Sequence, residues 1–431
     1  MKSIIPDIEK ESLSEQKKFQ EKLLSEQLSY ISTHSKFYSE LLVKHKIDIT
    51  KINSIEDLSF LPTTSKADLQ IRNKDFFCTN DADIIDYSTT SGTSGEPVII
   101  PQTERDLKRL AYNEYLSLSC AGITKDDIVQ IMTTIDRRFM AGLAYFIGLR
   151  QIGASIIRAG AGTPAFQWKT IKLINPSYAV SVPSFILKLI EYAQNNGIEY
   201  KDSSLKKFVC IGDNINNQDF SLNSLGTRIK TLWDVELYST YASSEMSAAF
   251  TECEYHIGGH HHPELIITEF LDEEDNSVEE GEPGELTITN LGIEGMPLLR
   301  FRTGDICTFH SEPCKCGRKT IRLGPVIGRK NQMIKTKGTT IYPPALYDIL
   351  DSFQEVSNYI ISVQKNDVEL DEINVNIGVE SYKTIHIEQI KDHFRSKLRL
   401  VPKFVINTPD KVNEILLEHS GTKEKKFIDL R

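Results

Sequence analysis

"YSTTSGTSGEPVII" spans Tyr87–Ile100, and between Tyr87 and Glu96 it contains only Ser, Thr and Gly. Gly92 and Gly95 let a backbone approach a ligand closely and take unusual φ values. Ser91, Thr93 and Ser94 add hydroxyls and free N–H groups, the ingredients of an anion nest. The spacing GxxxxGK[ST] is missing, so this is not a P-loop. The competing reading is a flexible turn between two strands, because an apolar run, Val98–Ile100, follows.

Upstream, residues 8–45 carry Leu and aromatic side chains at spacings of three and four and read as helix. "LPTTSKADL" (Leu61–Leu69) supplies a Pro-initiated turn and a Ser/Thr helix cap. Downstream, Thr103–Leu118 reads as an amphipathic helix. Apolar stretches at Asp127–Met132, Gly153–Ile157, Tyr178–Val182, Lys206–Gly212 and Val235–Thr240 then alternate with helical ones such as Pro183–Asn196. That alternation predicts an α/β fold with parallel pairing. After about residue 250, strands joined by acidic and Gly/Pro turns predict a β-rich subdomain. The division expected is a large N-terminal domain over 1–328, its β-rich part at about 250–328, and a small α+β C-terminal domain over 329–431.

A chain of 431 residues exceeds one core, since cores stop growing near ~250–300 residues. Hydrophobic content of 40% and charged content of 26% are ordinary for a globular enzyme. The formal net charge of −10 argues against a nucleic-acid partner. The N-terminus is charged from Asp7 onward, and no apolar run is long enough for a signal peptide or a membrane span. Seven scattered cysteines do not form a disulfide framework, so a reducing cytoplasm is expected.

Three further segments could carry chemistry. "YSTYASSEMS" (Tyr238–Ser247) ends a strand in small polar residues and then Glu245, which suits a hard cation such as Mg²⁺. Its other reading is a helix N-cap at Ser243 or Ser244. "RFRTGDIC" (Arg300–Cys307) holds a Gly-Asp pair that also reads as a hairpin turn. "GRKNQMIKTKGTTIYPPAL" (Gly328–Leu346) is a basic stretch that also reads as a solvated linker.

Taken in order, these four segments resemble the adenylate-forming superfamily of acyl-CoA synthetases, adenylation domains and luciferases. The chain looks most like the phenylacetate–CoA ligase branch, from about residue 10 to "SGTKEKKFIDLR" at Ser420–Arg431. The resemblance implies ATP-dependent activation of a carboxylic acid, an aryl acid, to an acyl-adenylate. CoA then takes the acyl group, and the C-terminal domain rotates between the two steps. It implies that Ser91, Gly92, Thr93, Ser94 and Gly95 wrap the β- and γ-phosphates, although Glu96 stands where the family usually has Lys. Gly212, Asp213 and Asn214 would line the adenine, with Tyr241 stacked on it. Ser244 would sit near the α-phosphate and Glu245 would hold Mg²⁺. Asp305 would take the ribose hydroxyls, and Arg329 would contact ribose or phosphate. Residues 329–331 would be the hinge, with Asn331 where Asp is frequent. Lys423 would be the catalytic lysine, with Lys425 and Lys426 close beside it. A homodimer is also implied. Arg137–Gly148, Ala159–Pro164 and Ser181–Phe185 are the expected walls of the acyl pocket, with Phe139, Met140, Tyr145 and Phe185 as apolar contacts or as ordinary core.

"ECEYHIGGHHH" (Glu252–His262) and "PCKCGRK" (Pro313–Lys319) offer Cys253, His260, Cys314 and Cys316 as a closed structural Zn²⁺ site. His256, His261 or His262 could replace His260, and a surface His cluster with free thiols is the alternative. Two other functions compete with the CoA ligase: transfer to the phosphopantetheine thiol of a carrier protein, and a degenerate nucleotide- or zinc-binding interaction module without catalysis.

Overall fold

The computed structural model describes residues 5–90, 97–336, 339–365, 371–380, 386–419 and 426–431. Contacts divide the chain into two compact units. The first holds Met1–Ser221, Ile229–Thr303 and Cys307–Pro325; the second holds Leu222–Arg228, Gly304–Ile306 and Val326–Arg431. Among the described residues no helix is long and apolar enough to cross a membrane.

The first unit opens with helices α1 (Asp7–Lys10), α2 (Leu13–His34) and α3 (Lys36–His45). The helical stretch read from the sequence is broken at Ser12 and Ser35, whose side chains accept from the N–H groups of Glu15 and Tyr38 as N-caps. Helix α4 (Lys66–Arg72) starts behind Ser65, whose N–H and hydroxyl donate to Asp68 at 2.8 and 2.7 Å. Strands β1 (Ile84–Thr89) and β2 (Ile99–Thr103) pair antiparallel, with Thr89 opposite Ile99. The Ser/Thr/Gly loop therefore joins two paired strands, while Ser91–Glu96 themselves lie outside the described residues. Helix α5 (Glu104–Cys120) begins with a reciprocal capping box between Thr103 and Asp106.

The parallel layer follows in chain order: β3 (Ile128–Ile131), α6 (Met140–Ile152), β4 (Ser155–Arg158), α7 (Pro164–Ile174), β5 (Tyr178–Ser181), α8 (Pro183–Asn195), β6 (Lys207–Cys210), α9 (Ser224–Leu232) and β7 (Glu236–Ser243). The strands lie side by side as β4-β3-β5-β6-β7, all parallel. Every residue of β5 is buried, as expected of a central strand covered on both faces. Next come β8 (Ala248–Thr251), β9 (Gly259–His260), β10 (Ile266–Leu271), β11 (Gly284–Asn290), β12 (Phe301–Cys307), β13 (Phe309–His310) and β14 (Arg322–Leu323). The β-rich stretch is shared between two sheets. Strands β8, β9, β14 and β13 extend the parallel sheet antiparallel beyond β7, to nine strands, whereas β10, β11 and β12 lie in another sheet.

In the second unit, Asp305 and Ile306 of β12 pair with β15 (Gly328–Arg329). A hairpin of β16 (Ile334–Thr336) and β17 (Thr339–Ile341) and helix α10 (Pro343–Asp351) follow. Then come β18 (Asn358–Lys365), β19 (Asp371–Gly378), α11 (Ile387–Leu398), β20 (Lys403–Asn407), α12 (Pro409–His419) and β21 (Phe427–Asp429). These strands form a sheet ordered β20-β19-β18-β21 over a core that includes Ile361, Val375, Ile377 and Phe394. The C-terminal Arg431 is tied to this sheet by Asp371 at 2.9 Å and by the Met333 carbonyl at 2.7 Å.

Helices α5 and α6 pack closely because Gly148 has no side chain; a Cβ there would collide with Glu114. Glu114 is fully buried, and its carboxyl accepts a hydrogen bond from Asn113 at 3.1 Å. Burial pushes it up to about 8, with Asn113 pulling the other way. The folded value is raised, so stability is full below the unfolded value near 4.5 and declines as pH rises through about 8. Glu114→Gln keeps the acceptor and removes the titration. Its melting temperature should match the wild type near pH 4.5 and exceed it by a growing margin up to about pH 8, equivalent to a few kcal/mol.

Candidate functional site

The last paired residues of β6 and β7 are Cys210 and Ser239. Beyond them Gly212–Asn214 leave β6, and Tyr241–Ser243 continue β7, at the same edge of the parallel sheet. The carboxyl ends of parallel strands are where open α/β sheets hold ligands. Gly212 has φ +81°, a value that an L side chain rarely takes. It turns the chain so that Asp213 accepts from the N–H of Ser184 at 3.3 Å, at the start of α8. Asn214 closes a local turn through both ends of its amide on Asn216. Tyr241 is half-buried, and its ring lies 6.2 Å from that of Phe250.

Ser244–Ser247 form a tight turn between β7 and β8, with Ser243 paired to Ala248. This replaces the helix N-cap reading. The turn presents Glu245, whose carboxylate lies 3.4 Å from the Lys66 ammonium and is only 11% exposed. Lys66 was read from the sequence only as part of a helix start. A small cavity beside Glu245 is lined by Gln102, Asp106, Arg109, Ser247 and Met296. Arg109 is buried, and its guanidinium donates to the carbonyls of Leu291, Ser247 and Leu265. Burial pulls it down to about 10, opposed by Asp106 and Glu264. Asp106 accepts from the N–H groups of Glu294 and Gly295, each at 2.8 Å.

At the base of the Ser/Thr/Gly loop, the N–H of Thr89 donates to the carbonyl of Arg138 at 3.0 Å. A cleft of about 520 Å³ alongside is lined by Lys74, Phe77, Tyr87 and Arg138. Its two cations form no ion pair among the described residues. Met140 and Tyr145, offered as acyl-pocket contacts, are both 4% exposed and belong to core clusters.

Asp305 lies inside β12 rather than in a hairpin turn, and the Arg329 Nε lies 3.3 Å from its carboxylate. The start of the basic stretch is structured, against the alternative of a solvated linker: β15 runs into a 3₁₀ turn at Lys330–Gln332 that includes Asn331. Lys423 and Lys425 lie outside the described residues. Lys426 is committed elsewhere, with its ammonium 4.8 Å from the centre of the Tyr359 ring.

Cys253, His260, Cys314 and Cys316 converge, with all four ligand atoms within 4.8 Å of one another. The Cys253 and Cys314 sulfurs are 3.6 Å apart, and the Cys316 sulfur is 3.5 Å from His260 Nε2. Ligands at 2.0–2.3 Å around a tetrahedral ion sit roughly 3.5–3.8 Å apart, so the set fits zinc. The other histidines face elsewhere: His261 to the Ile266 carbonyl, His262 to Glu9, His256 towards Glu252. Hydrogen bonds from Cys253 and Cys314, with His260 beside them, hold the Cys316 thiol well below its usual range.

Residues 11–294 match the profile of the family described as AMP-binding enzyme. The chain belongs to that family. Among curated relatives of this AMP-binding enzyme, the phenylacetate-coenzyme A ligase of Thermus thermophilus is 26% identical over 394 residues, covering 90% of this chain and 87% of the relative. The phenylacetate-coenzyme A ligase of Escherichia coli is 25% identical, covering 78% and 76%. The crystal structure of a 2-hydroxyisobutyryl-CoA ligase in the postadenylation state superposes with a TM-score of 0.85 at 20% identity, covering 99% and 94%. That likeness supports the fold.

The turn that carries Glu245 depends on Arg109. Arg109→Met should strand the buried carbonyls of Leu291 and Ser247, remove one of the two donors to that of Leu265, and cost on the order of 3 kcal/mol in urea unfolding. A loss below about 1 kcal/mol would show that other groups hold these loops.

Proposed function

We propose that the protein is an AMP-forming acid–CoA ligase acting on an aryl acid of the phenylacetate kind. Family membership and the Thermus thermophilus relative, which matches nearly the full length of both chains, support this reading. The structural observation that carries it is the shared sheet edge of Gly212–Asn214 and Tyr241–Glu245, in the segments that the resemblance assigns to adenine, α-phosphate and Mg²⁺.

In the first step a carboxylate oxygen attacks the α-phosphorus of ATP. The bond to the β-phosphate oxygen breaks, and pyrophosphate leaves. In the second step the CoA sulfur attacks the acyl carbonyl. The bond to the phosphate oxygen breaks, AMP leaves, and the thiol proton passes to solvent. No side chain becomes covalently bound, so the protein contributes positioning and electrostatics. Tyr241 stacks on adenine, and Ser244 lies by the α-phosphate. Glu245 would hold Mg²⁺, which would neutralise charge on the phosphates, and Lys66, 3.4 Å from Glu245, adds a second cation beside it. The Ser91–Gly95 loop supplies N–H donors to the β- and γ-phosphates. Asp305 binds the ribose hydroxyls, with Arg329 beside it. Lys423 stabilises charge between the carboxylate and the α-phosphate. The Asp213 carboxylate takes a structural part at the start of α8, so its neighbours' backbone serves the adenine. Cys253, His260, Cys314 and Cys316 would hold Zn²⁺ and so tie the β8–β9 turn to the 313–319 knuckle; four protein ligands would close the site and leave it no catalytic part. Seven free cysteines support a cytoplasmic enzyme.

The test is ATP-dependent pyrophosphate release with a panel of aryl and aliphatic acids, with and without CoA. Release with phenylacetate-like acids and AMP turnover accelerated by CoA are expected. Release without CoA acceleration favours a carrier-protein thiol as acceptor. Absence of release with every acid overturns the ligase reading and leaves a non-catalytic binding module. Lys423→Ala and Glu245→Gln should each lower adenylate formation by about 10²–10³-fold with the melting temperature unchanged. Full activity in either variant removes that residue from its role.

A further inference from the structure

The residues that follow the cysteine knuckle do more than close a loop. Arg318, two positions past Cys316, has a fully buried side chain. Its NH1 lies 3.6 Å from the Cys316 sulfur, and its Nε donates to Glu9 Oε2 at 2.7 Å. Glu9 is also fully buried, and its Oε1 lies 2.6 Å from His262 Nδ1. One carboxylate from α1 therefore bridges Arg318, next to the cysteine ligands, and His262, two residues after the His260 ligand. Backbone contacts repeat the link. The Lys319 N–H donates to the Glu9 carbonyl at 2.7 Å, and Ile5 packs against Gly317, its Cδ1 3.6 Å from where a Cβ would stand.

The chemistry of the donor set explains why a buried arginine is needed. Three thiolates around a divalent ion would leave one net negative charge in a site where three of the four ligands are buried and Cys316 is partly exposed. A guanidinium donating to a thiolate sulfur offsets it and fixes the sulfur's orientation. An arginine so deeply buried must itself be paired, and Glu9 is its partner. Groups that orient metal ligands in this way govern metal retention.

We propose that Arg318 is a positioning residue of the Cys253/His260/Cys314/Cys316 metal site, that Glu9 holds it in place, and that metal retention and the docking of segment 5–11 are therefore coupled. The inference rests on the zinc reading given above. Glu9 touches no metal ligand directly, so an effect of Glu9 on the metal distinguishes coupling from simple ligand loss.

The test uses full-length protein loaded with Zn²⁺, and in parallel with Co²⁺. Zinc content is measured first. Zinc transfer to a chromogenic chelator is then timed, and tryptic cleavage after Lys10 is followed by mass spectrometry. Glu9→Gln, which keeps the shape and the hydrogen-bonding oxygen, should release zinc about 10-fold faster than wild type. Arg318→Met should release it faster still and shift the sulfur-to-cobalt charge-transfer band. Lys10 has a side chain 49% exposed on a backbone held in α1, so stripping the metal from the wild-type protein should speed tryptic cleavage after it. Circular dichroism identifies any variant that fails to fold, and the wild-type stripping experiment stands without variants. Wild-type protein that binds no zinc or cobalt overturns both the metal reading and this inference. Zinc bound at one per chain, but released at the wild-type rate from Glu9→Gln and with Lys10 equally protected in metal-free protein, overturns the coupling alone.

Discussion

The first unit depends on a helix whose polar stripe faces inward. Asp106, Arg109, Asn113 and Ser117 recur along α5 at spacings of three and four, and all are buried. Each pairs with backbone or side-chain groups of the buried segments packed around the helix. Asp106 takes the N–H groups of Glu294 and Gly295, Arg109 takes three carbonyls, Asn113 takes the N–H of Ala249, and Ser117 bonds Thr251. Irregular backbone can be buried only when such groups are paired. Because α5 supplies the partners, the loops at 247, 265 and 291–295 can pass through the interior rather than over the surface.

This constraint reaches the candidate site directly. The carbonyl of Ser247 is one of the three that Arg109 holds, and Ser247 closes the turn that presents Glu245. Gly295 belongs to the same arrangement: a Cβ there would stand 2.5 Å from the Pro101 carbonyl and 2.8 Å from Asp106. A polar interior of this kind fixes the position of one carboxylate beside the sheet edge, which is what an electrostatic site requires. The parallel strands provide the direction of approach, and α5 provides the rigidity.

The Cys253/His260/Cys314/Cys316 cluster gathers separate segments in a similar way with different side chains. Strands β9 and β14 are two residues long each, too short to hold their register by pairing alone. The four side chains converge where the nine-stranded sheet ends, and the buried Glu9 and Arg318 link them to α1. Burial alone would push Glu9 up, but His262 and Arg318 hold its carboxyl below the usual range.

The alternation of apolar stretches with helical ones was enough to read the parallel layer, because period and length are local properties of the chain. The convergence of Cys253, His260, Cys314 and Cys316 was legible for a related reason: cysteine and histidine at close spacing have few other uses. The adenylate-site segments were legible as ordered motifs, although the turn at Ser244–Ser247 and the strand position of Asp305 were not, since short polar runs fit several local conformations. The inward polar stripe of α5 could not be read at all. Polar residues at helical spacing normally mark the solvated face, and nothing in the segment itself says that buried loops will supply their partners. The same holds for Lys66, which meets Glu245 from 179 positions away in sequence, and for Glu9, whose partners lie near the other end of the first unit. Sequence alone determined the elements, the family of chemistry and the Cys/His cluster, because these follow from local period and residue type. Tertiary structure alone decided which charges are buried and what pairs with them, because pairing is a property of distance in space.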